Sequence, residues 1–147
     1  MNPIGKAIWY IESHFREDLS LDDVAGAAGV SRYHLSRAFP ATVGQSLMRY
    51  VSSRRLSEAA RVLSDGAEDI LTVALDAGYG SHEAFTRAFG DHFGRTSEAV
   101  RAQGLAGLHL QEPLRMDDAA DLRLAAPKIE THRAFRVVGL SERYAMD

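Results

Sequence analysis

The sequence predicts an all-α fold: seven helices in two similar units joined by a long helix, followed by a C-terminal linker and one strand. Three observations carry this. Apolar residues recur at helical spacing through the first hundred positions, as in Ile4, Ile8, Ile11 and Phe15. Ser, Thr or Asp stands ahead of most periodic runs and Gly behind many of them, the pattern of capped helix starts and left-handed stops. The chain also repeats itself: Leu35-Ser36-Arg37-Ala38-Phe39 returns fifty residues later as Phe85-Thr86-Arg87-Ala88-Phe89.

Taken in order, residues 4–17 read as an amphipathic helix, with Trp9 beside its apolar stripe. Ser20 caps the second helix, and Asp23 takes the place of the Glu or Gln of a capping box. Leu21, Val24, Ala25 and Ala28 face inward until Gly29, which supplies the positive φ of a tight turn. Ser31 caps the third helix, with Leu35, Ala38 and Phe39 as its buried side. Pro40 has no N–H to donate, so this helix is expected to end or kink near Phe39.

After Gly44, Ser46 caps a long helix to Ser64, closed by Asp65-Gly66. Counted with its cap it has nineteen residues and spans about 28 Å at ~1.5 Å per residue. Asp69 starts a short helix to Asp76, Gly78 makes a turn, and Ser81 caps a helix that buries Phe85, Ala88 and Phe89. Gly94 stops that helix and Thr96 opens a last one to about Gln103. Residues 104–126 hold Leu105, Leu108, Leu110 and Leu114 without clear periodicity and read as a linker, with packing against the domain as an alternative to a free one. Within 127–147, Ile129, Thr131, Ala134, Phe135, Val137 and Val138 read as one strand, too little for a domain.

Composition narrows the function classes. Of 147 residues 46% are hydrophobic, enough for one ordinary domain or two very small ones, and there is no cysteine, which removes disulfide frameworks, thiolate zinc sites and cysteine nucleophiles. No stretch has the length of a membrane span and no signal peptide opens the chain, so a soluble, cytoplasmic protein without membrane partners is expected. Formal charge is −3 overall but is segregated: residues 1–30 carry a net −3 and residues 31–61 a net +5, with six arginines against Glu58 alone. Such a stripe is a candidate phosphate footprint.

Each repeat unit has the form of a helix-turn-helix, with small Ala25 at the helix crossing, Gly29 at the turn and Val30 and Leu35 filling the angle. At 3.6 residues per turn, the face opposite Leu35 and Phe39 presents Tyr33 and Arg37, flanked by Ser36 and His34. The second unit presents Glu83 and Arg87, flanked by Thr86 and Ala84, with His82 in the first turn. Arginine thus occupies the same place twice, and a guanidinium can bond guanine O6 and N7 with two parallel hydrogen bonds. Adjacent major-groove faces of B-DNA lie ~34 Å apart, so the long helix plus the width of its units lets one chain address both without a dimer.

The motifs Ser20-Leu21-Asp22-Asp23-Val24-Ala25, Gly29-Val30-Ser31, His34-Leu35-Ser36-Arg37-Ala38-Phe39, Arg55-Leu56, Ala77-Gly78-Tyr79 and Phe85-Thr86-Arg87-Ala88-Phe89 resemble the tandem helix-turn-helix domain of AraC/XylS-type transcription regulators over about residues 4–103. The resemblance implies a DNA-binding domain over 1–103, whose third and sixth helices enter the major groove of double-stranded DNA. It also implies an activator that contacts RNA polymerase. By position, Tyr33, Ser36, Arg37, His82, Glu83, Thr86 and Arg87 would read bases, and Ser31, Arg32, Arg49, Arg54, Arg55 and Arg95 would hold phosphates. Residues 127–147 resemble the opening strand of the gyrase-inhibitor-like effector domain of Rob-like members. That implies a fragment or natural truncation, with a small-molecule effector only where the missing domain is present. Pro40 and Gly90 depart from the family's basic residue after the phenylalanine, Ser97 replaces a usual proline, and Glu83 suits DNA only by accepting from cytosine N4.

Two other classes compete with this reading. An enzyme finds little support: His14, His34, His82, His92, His109 and His132 lack paired metal-ligand spacing, Gly78-Tyr79-Gly80 lacks the third glycine of a nucleotide loop, and the helix-start serines are caps. No cofactor is implied. A helical protein-interaction module without DNA affinity is the remaining alternative, and salt-dependent DNA binding separates the two.

Overall fold

The computed structural model describes residues 2–67 and 69–115, and the strand expected beyond Pro127, like the linker from 116 onward, lies outside them. Among the described residues the chain is all-α, in seven helices: α1 (Pro3–His14), α2 (Leu21–Ala28), α3 (Arg32–Val43), α4 (Leu47–Ser64), α5 (Ile70–Asp76), α6 (His82–Phe93) and α7 (Ser97–Gln103). None is long and apolar enough to cross a membrane.

Helix starts follow the expected caps. The side chains of Ser20, Ser31, Ser46, Asp69, Ser81 and Thr96 each accept from a backbone N–H of the first turn, satisfying donors that the helix leaves orphaned. Asp23 completes a capping box with Ser20, accepting from its backbone N–H at 2.9 Å. The Ser20 hydroxyl and then its backbone N–H, both donating to Asp23, hold that carboxyl below the ordinary aspartate value, and the hydroxyl and backbone bonds around Asp69 do the same there.

The repeat is a structural one. Gly44 and Gly94, fifty residues apart, both close a helix with left-handed backbone, at φ 83° and 66°. Tyr50 and Val100, at the same offset, are both completely buried. Two cores result, and α4 serves both. Ile8, Ile11, Val24, Leu35, Phe39, Tyr50 and Val51 lie in the first, and Leu56, Leu63, Val73, Phe85, Phe89 and Val100 in the second. Near 25 cal/mol per Å² of apolar area, each unit is held mainly by its aromatic and aliphatic helix faces.

Two boundaries differ from expectation. The first helix ends at His14 rather than near residue 17, and Arg55 satisfies the carbonyls of Phe15 and Glu17 that follow its end. The third helix runs through Pro40 to Val43, so of the expected end or kink near Phe39 the end does not occur. Proline deprives the Ser36 carbonyl of its helical donor, but Ser36 is exposed and water can serve it, while Phe39 one residue earlier is fully buried and anchors the turn.

Candidate nucleic-acid interface

The helix pairs α2–α3 and α5–α6 are each folded over a left-handed glycine, Gly29 at φ 71° and Gly78 at φ 84°. Only glycine takes that backbone without strain, so the angle between the paired helices is fixed locally. Leu35 and Phe39 pin α3 to the first core, and Phe85 and Phe89 pin α6 to the second. The opposite faces are turned to solvent.

On α3, Tyr33, Ser36 and Arg37 are exposed, Tyr33 by 70%. The Arg37 guanidinium rests over the Tyr33 ring at 5.6 Å and donates to its hydroxyl at 3.3 Å. The phenol thus orients a cation that would otherwise lose rotamer freedom on binding. The Ser36 hydroxyl donates to the Tyr33 carbonyl at 2.9 Å. On α6, Glu83 and Arg87 are exposed, and neither has a hydrogen-bond or ion-pair partner among the described residues. His82 and Thr86 are half-buried and 3.5 Å apart through Nδ1 and Oγ1, a contact at the outer limit of a hydrogen bond.

The phosphate set fares differently. Arg49 is exposed at the start of α4 and has no carboxylate in ion-pair range among the described residues. Burial, and then the Arg49 charge, push His92, near the end of α6, below its ordinary value. Arg32 is exposed and pairs with Asp22 at 3.4 Å, an exchangeable surface contact. Ser31 spends one lone pair on the His34 N–H at 3.0 Å and keeps its own O–H free to donate.

Three arginines of the set are used inside the fold. Arg54 is 3% exposed, gripping both Glu12 oxygens at 3.0–3.1 Å and the Gln111 carbonyl at 3.0 Å, with its guanidinium 4.7 Å from the Phe15 ring centre. Burial works against its charge, but the Glu12 carboxylate more than compensates and raises its pKa. Arg55 donates to the carbonyls of Phe15 and Glu17, and its guanidinium lies over Gly78, 3.4 Å from where a side-chain carbon would stand. Arg95 donates to the Ala106 carbonyl at 2.9 Å and to Gln103 at 3.0 Å. The expectation that Arg54 holds a phosphate is therefore corrected, because it is buried with its donors on oxygens of the chain itself; Arg55 and Arg95, partly exposed, each place two N–H donors on such oxygens.

Sequence reasoning missed the buried group around Arg54. Tyr50 donates from its hydroxyl to Glu12 and accepts from the Leu114 N–H, and burial followed by the Glu12 contact raises its pKa far above the usual phenol value. One signal was present: Tyr50, Arg54, Ser57 and Arg61 fall at helical spacing on one stripe of α4, a polar stripe that only a further packed segment could bury.

Known proteins share this architecture. Residues 24–103 match the helix-turn-helix domain family. The chain is 33% identical over 139 residues to the Right origin-binding protein of Escherichia coli (strain K12), covering 94% of this chain but 47% of that protein's length. It is 34% identical over 98 residues to the Multiple antibiotic resistance protein MarA of the same organism, covering 67% of this chain and 77% of MarA. A solved transcriptional regulator from Chromobacterium violaceum, described as containing an AraC-type DNA-binding domain, superposes with a TM-score of 0.66 at 30% identity, covering 71% of this chain and 94% of that one. With its duplicated helix-turn-helix units and a matched region exceeding half its length, this chain belongs to the AraC/XylS-type family of helix-turn-helix transcription regulators, of the Rob and MarA kind.

Proposed function

We propose that one chain binds duplex DNA sequence-specifically, with α3 and α6 in two successive major-groove segments of an asymmetric site. The observation that carries this reading is the matched pair of exposed arginines, Arg37 and Arg87, on equivalent helices of two units built around one rigid helix. At ~1.5 Å per residue the 18 residues of α4 span about 27 Å. With the width of the units added, that suits the ~34 Å between major-groove faces.

Base reading is assigned to Tyr33, Ser36 and Arg37 in one segment and to His82, Glu83, Thr86 and Arg87 in the other. The exposed Glu83 carboxylate fits only opposite a donor such as cytosine N4, so it narrows the second segment rather than strengthening it. Phosphate contacts are assigned to Ser31, Arg32 and Arg49. The expected regulatory mode is activation through contact with RNA polymerase.

Selection of bound sequences from random duplexes, followed by titration at two salt concentrations, tests this. The reading expects an asymmetric consensus of two short blocks about one helical turn apart, with affinity falling steeply as salt rises. Recovery of no consensus, together with salt-independent or absent binding, would move the chain to the class of protein-interaction modules.

A further inference from the structure

We propose that residues 105–114, beyond the matched domain, form a strap that sets the rotation of the two recognition helices about α4. They are then positioning residues for DNA reading, acting through α4. The proposal rests on the two-segment reading above.

The matched domain ends at residue 103, yet the chain does not leave the fold there. Leu105, Leu108 and Leu110 pack on the second core, and Leu114 packs on the first. Between these anchors the backbone is clasped to α4. The Gln111 N–H donates to Ser57 Oγ at 2.8 Å, its carbonyl accepts from Arg54 at 3.0 Å, and its side-chain oxygen accepts from Gln45 at 2.8 Å. The Leu114 N–H donates to the Tyr50 hydroxyl at 3.0 Å, and Glu112 pairs with Arg61. Arg95 holds the turn that begins the strap through the Ala106 carbonyl.

Every α4 partner in this clasp lies on the stripe Tyr50, Arg54, Ser57 and Arg61, which runs from the half of α4 serving the first core to the half serving the second. Tyr50 and Ser57 are completely buried, and such polar groups are costly inside a protein unless bonded. Strap backbone supplies much of that bonding. Arg55, about 100° around the helix from Arg54, adds a second brace from the α1–α2 connection to the Gly78 turn. A helix shared by two units fixes their separation along its axis. The two braces fix their rotation about it, on which simultaneous entry into two grooves depends.

The test uses the full chain and three duplexes: both selected segments at native spacing, the same with two base pairs inserted, and one with a single segment. Wild type is expected to lose about tenfold or more on insertion, because two linked contacts no longer act together. Leu114→Ser, which frees the strap from the first core, is expected to lose about tenfold on native spacing and to bind the single-segment duplex within about twofold of wild type. Its insertion penalty should vanish.

The single-segment duplex separates positioning from stability, because a variant that is merely destabilised weakens on all three duplexes. If Leu114→Ser keeps the wild-type penalty, or weakens all three duplexes equally, the strap is not a positioning element. If wild type binds all three duplexes alike, the two-segment reading fails first and the strap proposal falls with it.

Discussion

Replacing Arg54 with alanine distinguishes a buried brace from a phosphate contact. Arg54 is 3% exposed and holds Glu12, Glu58 and the Gln111 carbonyl. Removing one partner of a buried ion pair costs about 3–5 kcal/mol, because the other charge stays behind unpaired. Glu12 is 20% exposed in its side chain and keeps the Tyr50 hydroxyl, so the lower end of that range applies, about 3 kcal/mol. At roughly 4 °C per kcal/mol for a domain of this size, the melting temperature should fall by about 12 °C. Thermal unfolding followed by circular dichroism reads this directly. DNA titration well below the midpoint supplies the second half: the slope of log affinity against log salt should stay at its wild-type value. A variant that melts within about 2 °C of wild type but loses about 0.9 from the salt slope, the signature of one lost phosphate contact, would refute the reasoning.

Arg49→Ala should behave in the opposite way, with an unchanged melting temperature and a salt slope reduced by about 0.9. Arg37→Ala and Arg87→Ala should each cost about 1–3 kcal/mol of discrimination at one base pair, in different blocks of the site, as measured by binding to single-substitution duplexes. Gly29→Ala forces a Cβ into left-handed backbone at φ 71° and should destabilise the first unit by about 1–2 kcal/mol in urea unfolding, although the space beside it is open. The carboxyls of Asp23 and Asp69 lie below the ordinary value of 3.8 in the folded chain, so their stabilisation is complete above that value and is lost as pH falls through the lower folded values. Asp23→Asn with Asp69→Asn should therefore melt earlier than wild type near pH 7 and lose less on acidification; equal acid sensitivity would contradict the capping role.

What was legible in the sequence was whatever depends on near neighbours. Caps, glycine stops and the fifty-residue echo follow from a few adjacent side chains, and the structure places them where the spacing put them, with both halves of the Ser20–Asp23 capping box present. Pro40 misled because a local rule about donors was outweighed by the burial of Phe39. The fate of the arginines was not legible for a different reason. Whether Arg54, Arg55 and Arg95 point to solvent depends on Glu12, the Phe15 and Glu17 carbonyls, and Gln103, Ala106 and Gln111, most of them distant in sequence. The four leucines of residues 105–114 allowed a linker packed against the domain, and they do pack there, but without a repeat they did not show that it would cover the polar stripe of α4.

Guanine-specific interference footprinting of the selected duplex addresses the two-helix account most directly. The account predicts two clusters of essential guanine N7 positions about ten base pairs apart, with Arg37→Ala relieving interference in one cluster only and Arg87→Ala in the other only. A single cluster, or one that both substitutions affect alike, would contradict it.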